Sequence, residues 1–202
     1  MVIRVIILAL LALLLNSCGL DEDMIEEGAF NADSYTEMRA EKDAYFESED
    51  SPLPSNERDH FKGLRYWKPS ADYVVNATME LSEDDSTIEI PTTKDDMRQA
   101  TRYGVLRFTV DGTECELTAY QFAGSDGSSL FVPFKDETTG ARSYPTGRYL
   151  DIEREEGNEY VIDFNNAYNP FCAYNDRYSC PLVPSENTLD VSIEAGEGTW
   201  NH

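Results

Sequence analysis

The feature that most constrains the fold is a pair of alternating segments joined by Asp111-Gly112. The segments are residues 106–110 and 113–122. In each one apolar and polar side chains alternate, which is typical of a β-strand that packs one face against a core. Asp-Gly favours the two-residue type I′ turn, because both of its central residues need positive φ. The region therefore predicts a tight antiparallel hairpin.

Similar alternation recurs along the rest of the chain. In residues 73–82, every second side chain from Tyr73 to Leu81 is apolar, and the side chains between them are polar except for Val74. Further strands are predicted at residues 88–90, 130–135, 147–153, 160–164 and 189–194. Because turn-rich pieces separate them, we expect a mainly β fold: an antiparallel β-sandwich or barrel-like sheet of about seven or eight strands.

One or two helices are predicted before the strands. Ser34 and Glu37 have the spacing of a capping box, which predicts a helix over residues 34–48 that ends before Pro52. A second, shorter helix is predicted over residues 55–63, with Ser55 as its N-cap and Gly63 as its terminator. The side chains expected on one side of the first helix are Tyr35, Met38, Tyr45 and Phe46.

The N-terminus has the features of an export signal. Arg4 is the only charged residue among the first seventeen, and an apolar segment, residues 5–15, follows it. This pattern predicts a signal peptide over residues 1–17, too short to span a bilayer. Leu15-Asn16-Ser17-Cys18 resembles the bacterial lipoprotein signal, which implies cleavage before Cys18 and a diacylglycerol thioether on its sulfur. The alternative is an ordinary secretory peptide with an incidental cysteine.

The rest of the chain would then be displayed from a membrane. Residues 18–33 are predicted to be an acidic tether, and residues 34–202 a single β-rich domain with an N-terminal helical segment. Two or more acyl chains hold a protein on a bilayer far better than one. The expected location is extracytoplasmic and lipid-anchored to the cell envelope, with the inner or outer membrane left undetermined.

The net charge limits the partners that the chain can bind. It is −23 at pH 7, which argues against nucleic acid and against electrostatic docking on anionic membranes. The expected partners are the membrane, through the lipid on Cys18, and a small molecule or an envelope component.

The remaining cysteines and the histidines indicate a disulfide rather than a metal site. Cys172 and Cys180 lie close in sequence, and an oxidising compartment makes them a candidate disulfide, although sequence alone leaves the pairing open. Cys115 lies in a strand pattern and is expected to be a buried thiol. A zinc site needs about four ligands, but the chain has only two histidines, His60 and His202. No metal or cofactor is therefore predicted.

A long irregular segment, residues 165–187, carries the most specific motif. It begins within Asp163-Phe164-Asn165-Asn166-Ala167-Tyr168-Asn169-Pro170 and continues through Cys172-Ala173-Tyr174, Cys180-Pro181 and Glu186-Asn187. Together with Lys42-Asp43, Phe61-Lys62-Gly63-Leu64 and Gly147-Arg148-Tyr149, this series resembles the bacterial and archaeal domain-of-unknown-function family 1684. The resemblance extends over residues 35–196. It implies a single domain, often lipid-anchored, and no established activity.

Polar residues around this segment are the candidate ligand-binding site. They are Arg148, Asp163, Asn165, Asn166, Tyr168, Asn169 and Glu186. Amides, a phenol and a guanidinium at one end of a sheet could bind a carboxylate or a sugar. In the alternative interpretation, the asparagines satisfy loop backbone groups and Arg148 pairs with Asp163 or Glu186.

Three classes of function remain open. A small-ligand-binding or envelope-structural module is favoured, because the chain has no nucleophile elbow, His-Glu-x-x-His motif or phosphate-binding loop. A hydrolase that uses carboxylates such as Asp163 and Glu186 is the alternative, and catalytic residues stay unassigned. The third class is a protein-interaction platform in which Trp67 and Trp200 form a contact patch.

Overall fold

The computed structural model describes residues 30–200. The predicted signal peptide, the predicted lipid attachment at Cys18 and residues 18–29 of the predicted tether lie outside the described residues. Within residues 30–200, no helix is both long and apolar enough to cross a membrane.

Seven antiparallel strands form one sheet that curls into a half-barrel. The strands are β1 (Val74–Leu81), β2 (Thr87–Pro91), β3 (Met97–Val110), β4 (Thr113–Phe122), β5 (Ser129–Phe134), β6 (Arg148–Glu153) and β7 (Glu159–Asp163). Their order across the sheet is β6-β5-β4-β3-β1-β7, and β2 pairs with the N-terminal part of β3. The mainly β, barrel-like antiparallel prediction is confirmed.

The central hairpin forms as its sequence predicts. Val110 pairs with Thr113, and the two turn residues between them, Asp111 and Gly112, have φ values of 48° and 75°. These are the positive angles that a type I′ turn requires. Strand β3 extends further back than the alternation indicated, to Met97, because its N-terminal part pairs with both β2 and β4.

Each face of the sheet packs against its own core. One core contains Leu106, Leu117 and Ile162 and is covered by residues 189–195, which follow the last strand. The second core lies on the opposite face; its buried members are Ile90, Ala100, Tyr120, Phe131, Tyr149 and Val183. Tyr149 and its neighbour Leu150 belong to different cores, as expected for adjacent residues of a strand.

The first helix, α1 (Ala32–Glu47), begins earlier than its sequence suggested. Asn31 is the N-cap, since its side chain accepts the Asp33 N–H at 3.0 Å. The prediction that Ser34 caps the helix is therefore wrong, and its hydroxyl donates to the Asn31 carbonyl instead. Of the four side chains expected on one side, Tyr35 and Phe46 are buried, whereas Met38 and Tyr45 are 44% and 41% exposed.

Two other local predictions are corrected. The second helix, α2 (Ser55–Arg58), ends well before Gly63. Residues 189–194 form no strand. The Leu189 N–H and the Val191 carbonyl bond the backbone of residues 135 and 137, but the backbone groups of Ile193 bond side chains instead. The Ile193 N–H donates to Asp136 at 2.8 Å, and the Ile193 carbonyl accepts from Arg148 at 2.8 Å.

Candidate functional site

The seven predicted site residues lie in several separate polar clusters. The most deeply buried is Arg148, at 1% exposure on strand β6. Its guanidinium donates to the carbonyls of Ile193 and Ala195, and one nitrogen lies 3.4 Å from Asp136 Oδ1. Arg148 thus pairs with Asp136, a residue that sequence reasoning missed, rather than with Asp163 or Glu186.

Two aromatic rings complete the surroundings of Arg148. Its guanidinium carbon lies 5.0 Å from the centre of the Trp67 ring and 5.1 Å from that of Phe134. Burial lowers the pKa of Arg148, and the nearby Asp136 carboxylate opposes that shift. These contacts hold residues 193–195 against the sheet, so this arginine is part of the packed interior.

A second cluster is built around the carboxylate of Asp163. It accepts hydrogen bonds from the Tyr35 hydroxyl at 2.6 Å, from the Asn165 N–H at 2.9 Å and from the Asn166 amide at 3.0 Å. The buried Asn165 side chain also bonds the N–H and carbonyl of Ser70. Burial, followed by the bond to Asp163, raises the pKa of Tyr35. These bonds join α1 to the end of β7.

Asn169 belongs to a third cluster, centred on Glu197. The Glu197 carboxylate, 1% exposed, accepts the Asn169 N–H at 2.8 Å and the Tyr174 hydroxyl at 2.6 Å. Its other oxygen lies 2.6 Å from Lys42 Nζ. Tyr168, the neighbour of Asn169, donates its hydroxyl to Asp151 at 2.7 Å.

Glu186 lies in a different place, against strands β3 and β4. It accepts from the Tyr120 hydroxyl at 2.9 Å, and it lies 3.4 Å from Arg102 in an ion pair between partly exposed side chains. No described contact joins Glu186 to Asp163. Among the described residues, the carboxylates of Asp163 and Glu186 therefore do not share a site.

The long loop is closed covalently. The Cys172 and Cys180 sulfurs are bonded, with their Cα atoms 6.2 Å apart. The Cys180 carbonyl accepts the Thr93 N–H at 3.0 Å, which attaches the loop to the end of β2. Cys115 is a buried free thiol whose pKa is raised by burial. Across residues 30–200, no group of three or more His, Cys, Asp or Glu side chains is placed to hold a metal ion.

A surface groove of about 330 Å³ is a candidate binding site that sequence reasoning did not find. It is lined by Arg65, Tyr66, Trp67, Ala141, Arg142, Gly198 and Thr199, and we call it the arginine groove. Two backbone bonds build it. The Gly198 N–H donates to the Arg65 carbonyl at 2.8 Å, and the Thr199 N–H donates to the Arg142 carbonyl at 3.0 Å.

Cations and an indole ring dominate this groove. The exposed Arg142 lies 2.8 Å from Glu194, and Arg65 is also exposed. The guanidinium of the buried Arg148 lies over the Trp67 ring. The groove thus places two exposed guanidinium groups and one indole together, in a chain whose net charge is −23.

Two further observations describe the interior of the arginine groove. A Cβ at Gly198 would lie 3.8 Å from the Trp67 ring, so the glycine keeps a side chain off the indole. The Tyr66 and Thr199 hydroxyls are buried, and neither has a hydrogen-bond partner among residues 30–200. Such an arrangement can stack a flat ring and bind an anionic group. The basic, aromatic stretch from Arg65 to Lys68 was the available sequence signal.

Comparison with known proteins identifies the family. The solution NMR structure of an uncharacterized protein from Haloarcula marismortui is 41% identical; the match covers 83% of this chain and 93% of that one, with a TM-score of 0.66. No curated protein matches. The family model described as "Protein of unknown function (DUF1684)" matches residues 59–198. The chain therefore belongs to this family of unknown function.

Proposed function

We propose that the protein is a ligand-binding protein, lipid-anchored at the cell envelope, whose arginine groove binds a small organic anion with a flat ring. The observation that carries the proposal is that two exposed arginines, Arg65 and Arg142, line one groove with Trp67 in a strongly acidic chain. Arginine binds carboxylate and phosphate oxygens with paired hydrogen bonds, and an aromatic ring stacks on indole. The volume of the groove suits a ligand of that size.

Tryptophan fluorescence tests the binding proposal. The chain has two tryptophans, Trp67 and Trp200, so the Trp200→Phe variant of the full-length protein reports on Trp67 alone. We expect benzoate to change this emission in a saturable way and the uncharged analogue benzamide to bind much more weakly. Removal of Arg142 should weaken benzoate binding by roughly tenfold or more, because hydrogen bonds to charged groups contribute about 1.5–3 kcal/mol.

A matched control separates the groove from general charge. Arg107 lies on β3 as another exposed arginine, paired with Glu80 and Glu116 instead of lining the groove. Arg107→Ala changes the net charge as Arg142→Ala does, and it should leave benzoate affinity unchanged. Equal losses in the two variants, or equal affinity for benzoate and benzamide, would contradict the proposal.

The anchoring part of the proposal rests on Leu15-Asn16-Ser17-Cys18. We expect the full-length chain, expressed in a bacterium fed an alkyne fatty acid, to take up the label and to sediment with membranes. Cys18→Ala should lose both properties, while Cys115→Ala, the control, should keep them. An unlabelled wild-type chain, or a labelled Cys18→Ala chain, would show that Cys18 is not lipidated.

A further inference from the structure

The two end strands of the sheet, β6 and β7, face one another across an open groove. Five residues, 154–158, connect them, yet in the part of the chain that the structure describes they share no ladder of hydrogen bonds. Both strands line the same groove, of about 300 Å³. We call this groove the β6–β7 seam.

The backbone of β6 offers hydrogen-bonding groups to the seam. The Tyr149 N–H donates to the Tyr168 carbonyl at 2.9 Å, and the Tyr149 carbonyl accepts the Tyr168 N–H at 3.0 Å. Tyr149 therefore does not bond Pro133, the residue opposite it on β5. Alternate residues of a strand direct their backbone groups to the same side. The backbone groups of Asp151 and Glu153 therefore point away from β5, along the edge where the seam lies.

The backbone of β7 also offers hydrogen-bonding groups to the seam, from the side opposite β6. The Met79 N–H of β1 donates to the Asn158 carbonyl at 2.7 Å, which fixes the alternation along this pair. Ile162 therefore bonds β1, whereas the backbone groups of Glu159 and Val161 point away from it. Within residues 30–200, each strand thus presents an unpaired edge to the seam.

The side chains around the seam are strongly acidic on one face. Its carboxylates come from Asp151, Glu153, Glu155, Glu159 and Asp163. Arg154 is the only cationic residue from residue 149 to residue 163. Its Nε donates to the Tyr103 hydroxyl at 3.1 Å. On the opposite face, Ile152 and Ile162 belong to the apolar core.

We infer that the β6–β7 seam binds an extended peptide segment of a partner, with basic side chains at alternate positions and apolar ones between them. An added strand would satisfy the exposed backbone edges, antiparallel to one and parallel to the other. Its basic side chains would meet the carboxylates, and its apolar side chains would face the core. A second copy of this chain is disfavoured, because charged edges repel like edges.

This inference does not depend on the arginine groove, which takes the opposite charge. It is tested with the full-length chain and a seven-residue peptide of alternating lysine and valine, capped at both ends. We expect saturable binding by calorimetry, and slower amide hydrogen exchange at Glu153 and Val161. The same peptide with N-methylated valines keeps its charge but loses alternate donors, and it should bind at least about tenfold more weakly.

Variants separate the seam from the general acidity of the protein. Glu153→Gln combined with Glu159→Gln should weaken peptide binding by about tenfold or more, since it removes two charged contacts. Glu89→Gln combined with Glu114→Gln makes the same change on exposed positions of β2 and β4, and it should have little effect. Both pairs replace exposed side chains, so folding is expected to persist.

Several results would overturn the inference. Equal binding of the N-methylated peptide would exclude pairing with a strand edge. Equal losses of peptide affinity in the two double variants would show that the peptide responds only to the net charge of the protein. Displacement of the peptide by spermidine at similar concentration would indicate a site for small cations, and self-association that blocks peptide binding would assign the seam to a second copy.

Discussion

Lys42 and Glu197 form an ion pair that joins the first helix to the last described segment of the chain. Lys42 Nζ lies 2.6 Å from Glu197 Oε1, and the lysine side chain is 31% exposed while the glutamate side chain is 1% exposed. The other carboxylate oxygen accepts from Tyr174 and Asn169. One buried carboxylate thus holds together α1, the disulfide loop and the C-terminal segment.

Removal of the lysine should destabilise the fold substantially. Lys42→Met leaves the Glu197 carboxylate buried without a cation, and breaking a buried pair in this way costs about 3–5 kcal/mol. Because Lys42 is partly solvated, we expect roughly 2–4 kcal/mol from urea unfolding at pH 7. Adding Glu197→Gln should recover part of that loss. A loss of less than about 1 kcal/mol in the free energy of unfolding of Lys42→Met would contradict this prediction, because exposed ion pairs contribute that little.

Substitution of Arg148 should lower the stability of the fold, whereas substitution of Arg142 should mainly lower ligand affinity. Arg148→Met removes a buried guanidinium that bonds three carbonyls, and it leaves the buried Asp136 carboxylate without its cation. We expect it to lower the free energy of unfolding by about 3–5 kcal/mol. The exposed Arg142→Ala should cost about 0–1 kcal/mol and should affect ligand binding instead. A stable Arg148→Met protein would contradict this structural role.

The strands could be predicted because their signals are local. The hairpin at Asp111-Gly112 depends on two turn residues and on alternation within ten residues on either side, so the sequence contains all of its determinants. Residues 189–194 show how this reasoning fails. Their apolar pattern resembles a strand, but Arg148 and Asp136 bond the backbone groups of Ile193 and interrupt the pairing.

The candidate site was less predictable, since its determinants are distant in sequence. The asparagine-rich motif drew attention to Asn165 and Asn169, and both amides bond backbone carbonyls, of Ser70 and Gly198. Their partners, and the pairing of Lys42 with Glu197, depend on how distant segments meet. No local pattern indicates that Arg65 and Arg142 approach one groove, because residues 198–199 bridge them through backbone hydrogen bonds.

Reduction of the disulfide should loosen the long loop and lower stability. Cys172 and Cys180 are separated by eight positions, and the entropy of closing so short a loop corresponds to about 2.5 kcal/mol. We therefore expect Cys172→Ser combined with Cys180→Ser to lower the free energy of unfolding by roughly that amount. Val183, packed in the second core near Tyr149, should gain the most mobility by NMR relaxation. Cys115→Ser is the control for loss of a thiol.

Alkaline pH should unfold the protein through its buried tyrosines. Burial, together with the Asp151 and Glu197 carboxylates, raises the pKa of Tyr168 and Tyr174 well above the usual value near 10. The folded chain therefore keeps phenol protons that the unfolded chain releases. Their contribution to stability is complete below pH 10 and is lost as the pH rises above it, at about 1.4 kcal/mol per pH unit for each tyrosine.

Urea unfolding at pH 9, 10 and 11 measures this slope, and tyrosinate absorbance records when the phenols ionise. In the wild-type chain these two phenols should ionise only as the fold is lost. Tyr168→Phe should make the loss of stability above pH 10 less steep by about 1.4 kcal/mol per pH unit, which is the contribution of one tyrosine. Ionisation of every tyrosine in a chain that remains folded would contradict the buried arrangement of Tyr168 and Tyr174.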